Sequence, residues 1–216
     1  MKDAYTCDHR GRMSGDERRE QILMTAVELF SRHGFSGTTT RMIAEAAGVS
    51  EAMVFRHFAT KDELYGAIIH RQACGEGGGA YPWENYPALH EAMEKRDDFG
   101  FFYSIAVMAL EKHKGDVGFI RLLMYSALEG HELAERFFRD FVSPAYEFIG
   151  AYITQRQKEG AFREMNPRVV VRAFMGMLIH HSLNNILWDR NRRLLDISTE
   201  DAAHEFAGIV LNGIAK

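Results

Sequence analysis

The sequence predicts an all-α protein, with an N-terminal three-helix domain built on a helix-turn-helix and a larger helical domain after it. Three observations predict it. Apolar residues recur at helical spacing between breaks at Gly and Pro, and no strand signal of useful length interrupts them. Residues 39–64 read as two short helices around a Gly-centred turn, with a third helix start behind them. At 216 residues, 46 % of them hydrophobic, the chain is long enough for one small and one larger domain, each with a buried core. The expected division is a polar, unpatterned and disordered tail at 1–13, a helix-turn-helix domain at 14–61 and a second helical domain at 62–216.

Within the motif, Thr39 caps a helix whose Ile43, Ala44 and Ala47 fall at helical spacing, and the small Ala side chains let a second helix come close. Gly48 ends it, because the residue past the last turn often needs a positive φ that Gly adopts without a clash. Val49 is then a core anchor and Ser50 the next N-cap. From Ser50 to Phe58 the helical wheel puts Val54 and Phe58 on one side, and Ala52, Phe55 and Arg56 on the other. A recognition helix enters the DNA major groove by its N-terminal residues. Glu51, Ala52 and Met53 are therefore expected at base edges, with Phe55, Arg56 and His57 nearer the backbone. Thr60 and Glu63 form a capping box that sets Lys61 at the positive end of a helix, a position suited to phosphate.

The same residues carry a resemblance. Thr39-Thr40-Arg41-Met42-Ile43-Ala44, Ala47-Gly48-Val49-Ser50, Val54-Phe55-Arg56-His57-Phe58 and Lys61-Asp62-Glu63-Leu64 resemble the N-terminal domain of the tetracycline-repressor (TetR) family. Upstream, Ile22, Ala26, Leu29 and Phe30, then Arg32-His33-Gly34-Phe35 and Thr38-Thr39, are similar to that family's first helix and the loop after it. The likeness covers roughly residues 17 to 70, several elements in order and correctly spaced. It implies a dimeric, ligand-responsive transcriptional regulator that binds a double-stranded DNA operator, with Thr40, Arg41, Ser50, Glu51, Ala52, Met53, Phe55, Arg56, His57 and Lys61 in or near the interface. It also implies that effector binding shifts a helix of the ligand domain against the 61–71 helix and so changes the separation of the recognition helices. Two residues depart from the pattern. Phe55 stands where the family commonly has Tyr, which removes a phosphate donor, and Ala52 stands where Gly or Pro is frequent. Glu51 is either a specificity element that accepts from a cytosine amino group or a solvated charge at the groove edge.

Net charge is −4. Residues 9 to 61 carry +2 and the remainder −6, so nucleic-acid binding is read from the motif and not from bulk electrostatics. No stretch is long and apolar enough for a bilayer span, and the N-terminus, with Lys2, Asp3, Asp8 and Arg10, lacks a signal-peptide apolar region, so a cytoplasmic protein is expected. Cys7 and Cys74 are expected as free thiols, and Arg10 and Arg12 offer a basic arm to DNA.

Gly75-Glu76-Gly77-Gly78-Gly79 reads as a flexible break and not as a phosphate loop, since no strand precedes it and no Lys-Ser or Lys-Thr follows. Helices are predicted at about 89–114, 116–129, 131–159, 167–189 and 199–214, with Pro144 kinking or splitting the third. The last two resemble the paired helices through which TetR-like proteins dimerise. Their apolar residues span an arc too wide for one buried face, and Phe174, Leu178, Phe206, Ile209 and Val210 are expected at a two-fold interface. The middle helices are rich in aromatic and Met side chains, most of them core. Phe102, Tyr103, Met108, Leu122, Tyr125, Met177 and His181 are the candidates for a pocket that takes a small apolar or aromatic effector. His113, His131, His180, Asn184 and Asn185 are further polar groups able to orient one. His131-Glu132 with Glu135 lacks the second His of a zinc-protease helix, and no Ser nucleophile elbow or Cys cluster occurs, so no metal, cofactor or catalytic residue is expected. The competing classes are a DNA-binding regulator or activator without effector, and a helical enzyme or carrier.

Overall fold

The computed structural model describes residues 13–74, 81–115, 117–130 and 132–216. Residues 1–12, with Cys7, Arg10 and Arg12, the segment 75–80 and His131 lie outside them, as does the side chain of Cys74. The chain divides between Ile68 and Ile69 into two compact units.

The first unit begins with α1 (Gly15–His33). Ser14 caps it in a full capping box: its hydroxyl accepts from the Glu17 amide at 3.2 Å while Glu17 accepts from the Ser14 amide at 2.7 Å. Ile22, Leu23, Ala26, Val27 and Phe30 form its buried stripe, and Gly34 stops it at φ 70°. Next come α2 (Thr40–Ala46), α3 (Glu51–His57) and α4 (Lys61–Cys74). The turn between α2 and α3 is a Schellman motif. The Val49 amide donates to Ala44 O at 2.9 Å and the Gly48 amide to Glu45 O at 3.2 Å, with Gly48 at φ 65°. Thr39 and Ser50 cap the two helices as expected, each accepting from the backbone amide three residues on. The Thr60 hydroxyl likewise accepts from Glu63, but Glu63 reaches one residue further back than a capping box requires, to the Ala59 amide at 2.8 Å. Ile43, Ala44, Val54, Phe58, Leu64, Tyr65 and Ile68 complete this core.

In the second unit a 3₁₀ turn at Pro82–Asn85 precedes α5 (Pro87–Lys95), α6 (Asp98–Gly115), α7 (Val117–Leu128), α8 (Glu132–Phe137), a π-helical turn at Phe138–Val142, α9 (Ser143–Lys158), α10 (Pro167–Leu183), a second π-helical turn at Asn184–Trp188, and α11 (Thr199–Ile214). The single helix expected at 89–114 is two. Arg96 takes the left-handed conformation at φ 55°, the Asp97 amide donates to Ala92 O, and Asp97 then accepts from the Gly100 amide at 2.9 Å to start α6. The 131–159 stretch stays helical through Pro144, which stands in the first turn of α9 directly after the π-helical turn, so the expected kink or split takes the form of a change of helix type. Helix α6 packs on α5, α10 and α11 around Phe101, Phe102, Ile105, Phe174, Leu178, Ala203 and Val210. Arg156 ties α9 to α6 with a bidentate pair to Asp98 at 2.7 and 2.9 Å, and the Tyr152 hydroxyl donates to the same carboxylate at 2.7 Å. Among the described residues no helix is long and apolar enough to cross a membrane.

Candidate nucleic-acid interface

The two faces of α3 have separate duties. Val54 and Phe58 are 1 % exposed and fasten the helix to the first unit's core, where the Arg19 guanidinium lies 4.7 Å over the Phe58 ring. Glu51, Ala52, Phe55 and Arg56 are exposed, and Met53 and His57 are half-buried at the edges. Phe55, at 46 % exposure, is a large apolar side chain that the core does not use. Of the expected DNA-facing residues, Glu51, Ala52, Phe55 and Arg56 thus share the exposed side of α3, while Thr40 and Arg41 stand on α2, Ser50 caps α3 and Lys61 begins α4.

Local bonds fix how these residues are presented. The Thr40 hydroxyl donates to Glu51 Oε1 at 2.5 Å and joins the start of α2 to the start of α3. Arg41 forms an exposed i,i+4 pair with Glu45 at 2.9 Å, which holds its guanidinium proton more tightly than usual. Such a pair is weak in water and yields readily to phosphate. Ser50 Oγ is occupied as the cap of α3. Lys61 is half-buried, and its ammonium donates to Phe35 O at 2.8 Å and Thr38 O at 3.0 Å while lying 3.8 Å over the Phe35 ring. The sequence signal for Lys61 was a helix N-terminus; in the fold its first duty is to hold the loop before α2.

Among the cavities of the second unit, three share walls. One of about 190 Å³ is lined by Phe119, Leu123, Phe137, Phe141 and Ile179, with Lys112, His113 and Ser182 as its polar groups. A smaller one of about 80 Å³ adjoins Trp83, Ile105, Met108 and Met175. A third, of about 200 Å³, is lined by His181, Asn185, Lys114, Arg190 and Arg192. His113 Nδ1 and Ser182 Oγ are 2.9 Å apart at the junction.

Of the expected pocket residues, Met108 and His181 line these cavities. The others do not. Phe102 and Tyr103 precede Ile105, the first lining residue of α6, and pack on Phe174 and Phe99. Leu122 is fully buried off the lining face of α7, Tyr125 is 40 % exposed, and Met177 packs on the core. Phe119, Phe137 and Phe141, members of the wider aromatic and Met set of the middle helices but not of the short list of candidates, line the first cavity; aromatic composition cannot distinguish lining from core. The interface residues sort similarly. Phe174, Leu178 and Val210 are spent on the protomer's own core, Phe206 is half-buried, and Ile209 is exposed at 57 %. The wide apolar arc of α10 is consumed largely by α9, α6 and α11, and the exposed large apolar residues of α10 and α11 are Val169, Ile179 and Ile209.

A capped helix-turn-helix with a solvent-facing second helix has the architecture of a DNA-binding motif. Residues 22–68 match the sequence family described as bacterial regulatory proteins, tetR family. The segment is 42 % identical over 60 residues to the HTH-type transcriptional activator FasR of Mycolicibacterium smegmatis, covering 28 % of this chain and 27 % of that protein. It is 38 % identical over 56 residues to the HTH-type transcriptional repressor AcnR of Corynebacterium diphtheriae, covering 26 % and 30 %. The matched stretch thus spans under a third of these relatives. The fold is shared more widely. NalD of Pseudomonas aeruginosa, described as the secondary repressor of the MexAB-OprM multidrug efflux pump, superposes with a TM-score of 0.66 at 22 % identity, covering 94 % of this chain and 99 % of NalD. The ketosteroid transcriptional regulator KstR2 of Mycobacterium tuberculosis does so with 0.65 at 20 %, covering 95 % and 100 %. These relatives and neighbours are regulators of transcription, not enzymes.

Proposed function

We propose that the protein is a homodimeric repressor acting in the cytoplasm, which binds a palindromic operator through two copies of α3 and is released when a small molecule occupies the cavities of the second unit. The observation that carries the DNA-binding part is the division of α3, with Val54 and Phe58 buried and Ala52, Phe55 and Arg56 offered to solvent. Two copies are needed because one short helix reads too few base pairs for a unique site, and two-fold related helices address half-sites roughly 34 to 36 Å apart. Val169, Ile179 and Ile209, apolar and exposed on the last two long helices, support a two-fold packing there. Arg41 and Arg56 supply phosphate charge, and Glu51 and Met53 meet base edges.

The effector part rests on the cavities. To release DNA, the ligand must favour the arrangement that does not bind the operator, since equal affinity for both arrangements shifts nothing. The same docking also serves activation, and FasR, one of the similar proteins, is named an activator. A reporter placed behind the selected operator decides between them. Lower expression when the protein is present supports repression; higher expression contradicts it.

A further inference from the structure

We propose, resting on the effector reading above, that the cavities meeting at His113 take an anionic amphiphile, with its apolar chain between α6, α7 and the Phe138–Val142 turn and its charged head toward Lys114, Arg190 and Arg192. His113 lines all three cavities, so they adjoin at one side chain. The chemistry changes from one to the next. At one end are Trp83, Met108 and Phe141, in the middle Leu123 and Phe137, and at the other end three cations with Asn185 and Thr199. Among the described residues no Asp or Glu lines any of the three. Lys114 and Arg192 form ion pairs at 3.7 Å with Glu111 and Asp196, which lie outside the lining, and Lys114, Arg190 and Arg192 are exposed.

The two π-helical turns are a second, independent pointer. Such turns widen a helix by one residue and recur at functional sites. The turn at Phe138–Val142 sets Phe141 into both apolar cavities, and the turn at Asn184–Trp188 sets Asn185 and Ile186 into the polar one. Between them, the His113–Ser182 contact holds α6 against α10. Burial pushes the His113 imidazole toward its neutral form, so the fixed positive charge lies to either side of the junction, on Lys112 and on the polar cations. A neutral apolar ligand makes no use of Lys114, Arg190 and Arg192, and a simple anion leaves the apolar volume unfilled; an amphiphile uses both.

The test is calorimetric titration of the full chain with sodium decanoate, with 1-decanol and with acetate. Decanoate is expected to bind at least tenfold tighter than either of the others. The double variant Lys114→Gln with Arg192→Gln should remove the preference over decanol, and Leu123→Trp should weaken both ten-carbon ligands at least tenfold. Should Leu123→Trp fail to fold, Met124→Trp fills the same cavity from a more exposed position. Decanol binding as tightly as decanoate, a double variant that keeps the preference, or no binding of decanoate overturns the proposal. Operator binding measured alongside separates the two readings. Decanoate that binds without releasing DNA counts against effector gating and leaves the site standing. Release by a neutral compound that decanoate does not displace counts against the site and leaves gating standing.

Discussion

The Thr40 hydroxyl donates to the Glu51 carboxylate across 2.5 Å, so the first residue of α2 holds the first residue of α3. This explains how a carboxylate is tolerated where DNA phosphates approach. It is aimed by a neighbour, and it sits at the positive end of α3, where negative charge is favoured. Glu51→Gln should therefore raise affinity for unrelated DNA while narrowing the gap to the preferred site, by about 1–3 kcal/mol at the base pair it reads. Thr40→Val should broaden preference at the same base pair. Selection from a random-sequence DNA pool with each variant checks both; unchanged selected sequences would remove Glu51 from base readout.

Arg56 and Lys61 should separate in their effects. Arg56 is exposed, so Arg56→Ala is expected to lower the salt dependence of DNA binding by about one and leave the melting temperature in place. Lys61→Met removes a charged donor from two backbone carbonyls, a loss of about 1.5–3 kcal/mol that lowers the melting temperature by several degrees. A Lys61→Met protein that melts like the parent would show that these bonds do not hold the loop.

The α6–α9 tie is a second stability test. Asp98 accepts from Arg156 and from Tyr152, both half-buried or deeper, and burial together with the Asp98 contact raises the Tyr152 pKa. Asp98→Ala leaves both donors without that acceptor, although Arg156 keeps Glu159. A loss on the order of 3 kcal/mol in denaturant unfolding is expected. A change below about 0.5 kcal/mol would place the pair among surface pairs of little consequence.

Burial lowers the pKa of His113, helped by Lys112, and that of His181, helped by Arg192 and His180. A histidine held neutral in the fold but free to protonate when unfolded destabilises the protein as pH falls below its ordinary value of 6.5. Stability should therefore be level above pH 7 and fall toward pH 5. His113→Gln with His181→Gln should flatten that fall, as measured by melting temperature against pH. A parallel fall in the double variant would assign the acid sensitivity elsewhere.

For assembly, Ile209→Asp is the informative change, because Ile209 is exposed in the protomer and its replacement leaves the core intact. Sedimentation should give a dimer for the parent and a folded monomer for the variant. Phe174→Asp, at a fully buried position, should instead abolish folding. A parent chain that sediments as a monomer at micromolar concentration removes the dimer from the account.

The first unit was the more legible part of the sequence, and the reason is local. Thr39, Gly48 and Ser50 each perform a backbone task that few other residues perform, so composition alone marked both helices and the turn between them. The break at Arg96 was hidden because a left-handed arginine carries no sequence signal, although Asp97 before Asp98 was a capping cue. Phe174 and Leu178 against Ile209 show the further limit. Helical spacing says that a residue faces something apolar, but only the packing of α6 decides whether that neighbour belongs to the same chain. Phe141 could not be singled out from the other aromatic residues because its position depends on a π-helical turn.

Footprinting on the DNA selected from the random pool is the most direct test of the central claim. The account predicts a two-fold symmetric protected site whose half-sites are centred about one helical turn, roughly 34 to 36 Å, or a multiple of it apart. Protection should weaken across the whole site for Arg56→Ala and vanish at micromolar protein for Ile209→Asp. Retention of no preferred sequence, or protection of a single asymmetric half-site by the parent protein, would contradict it.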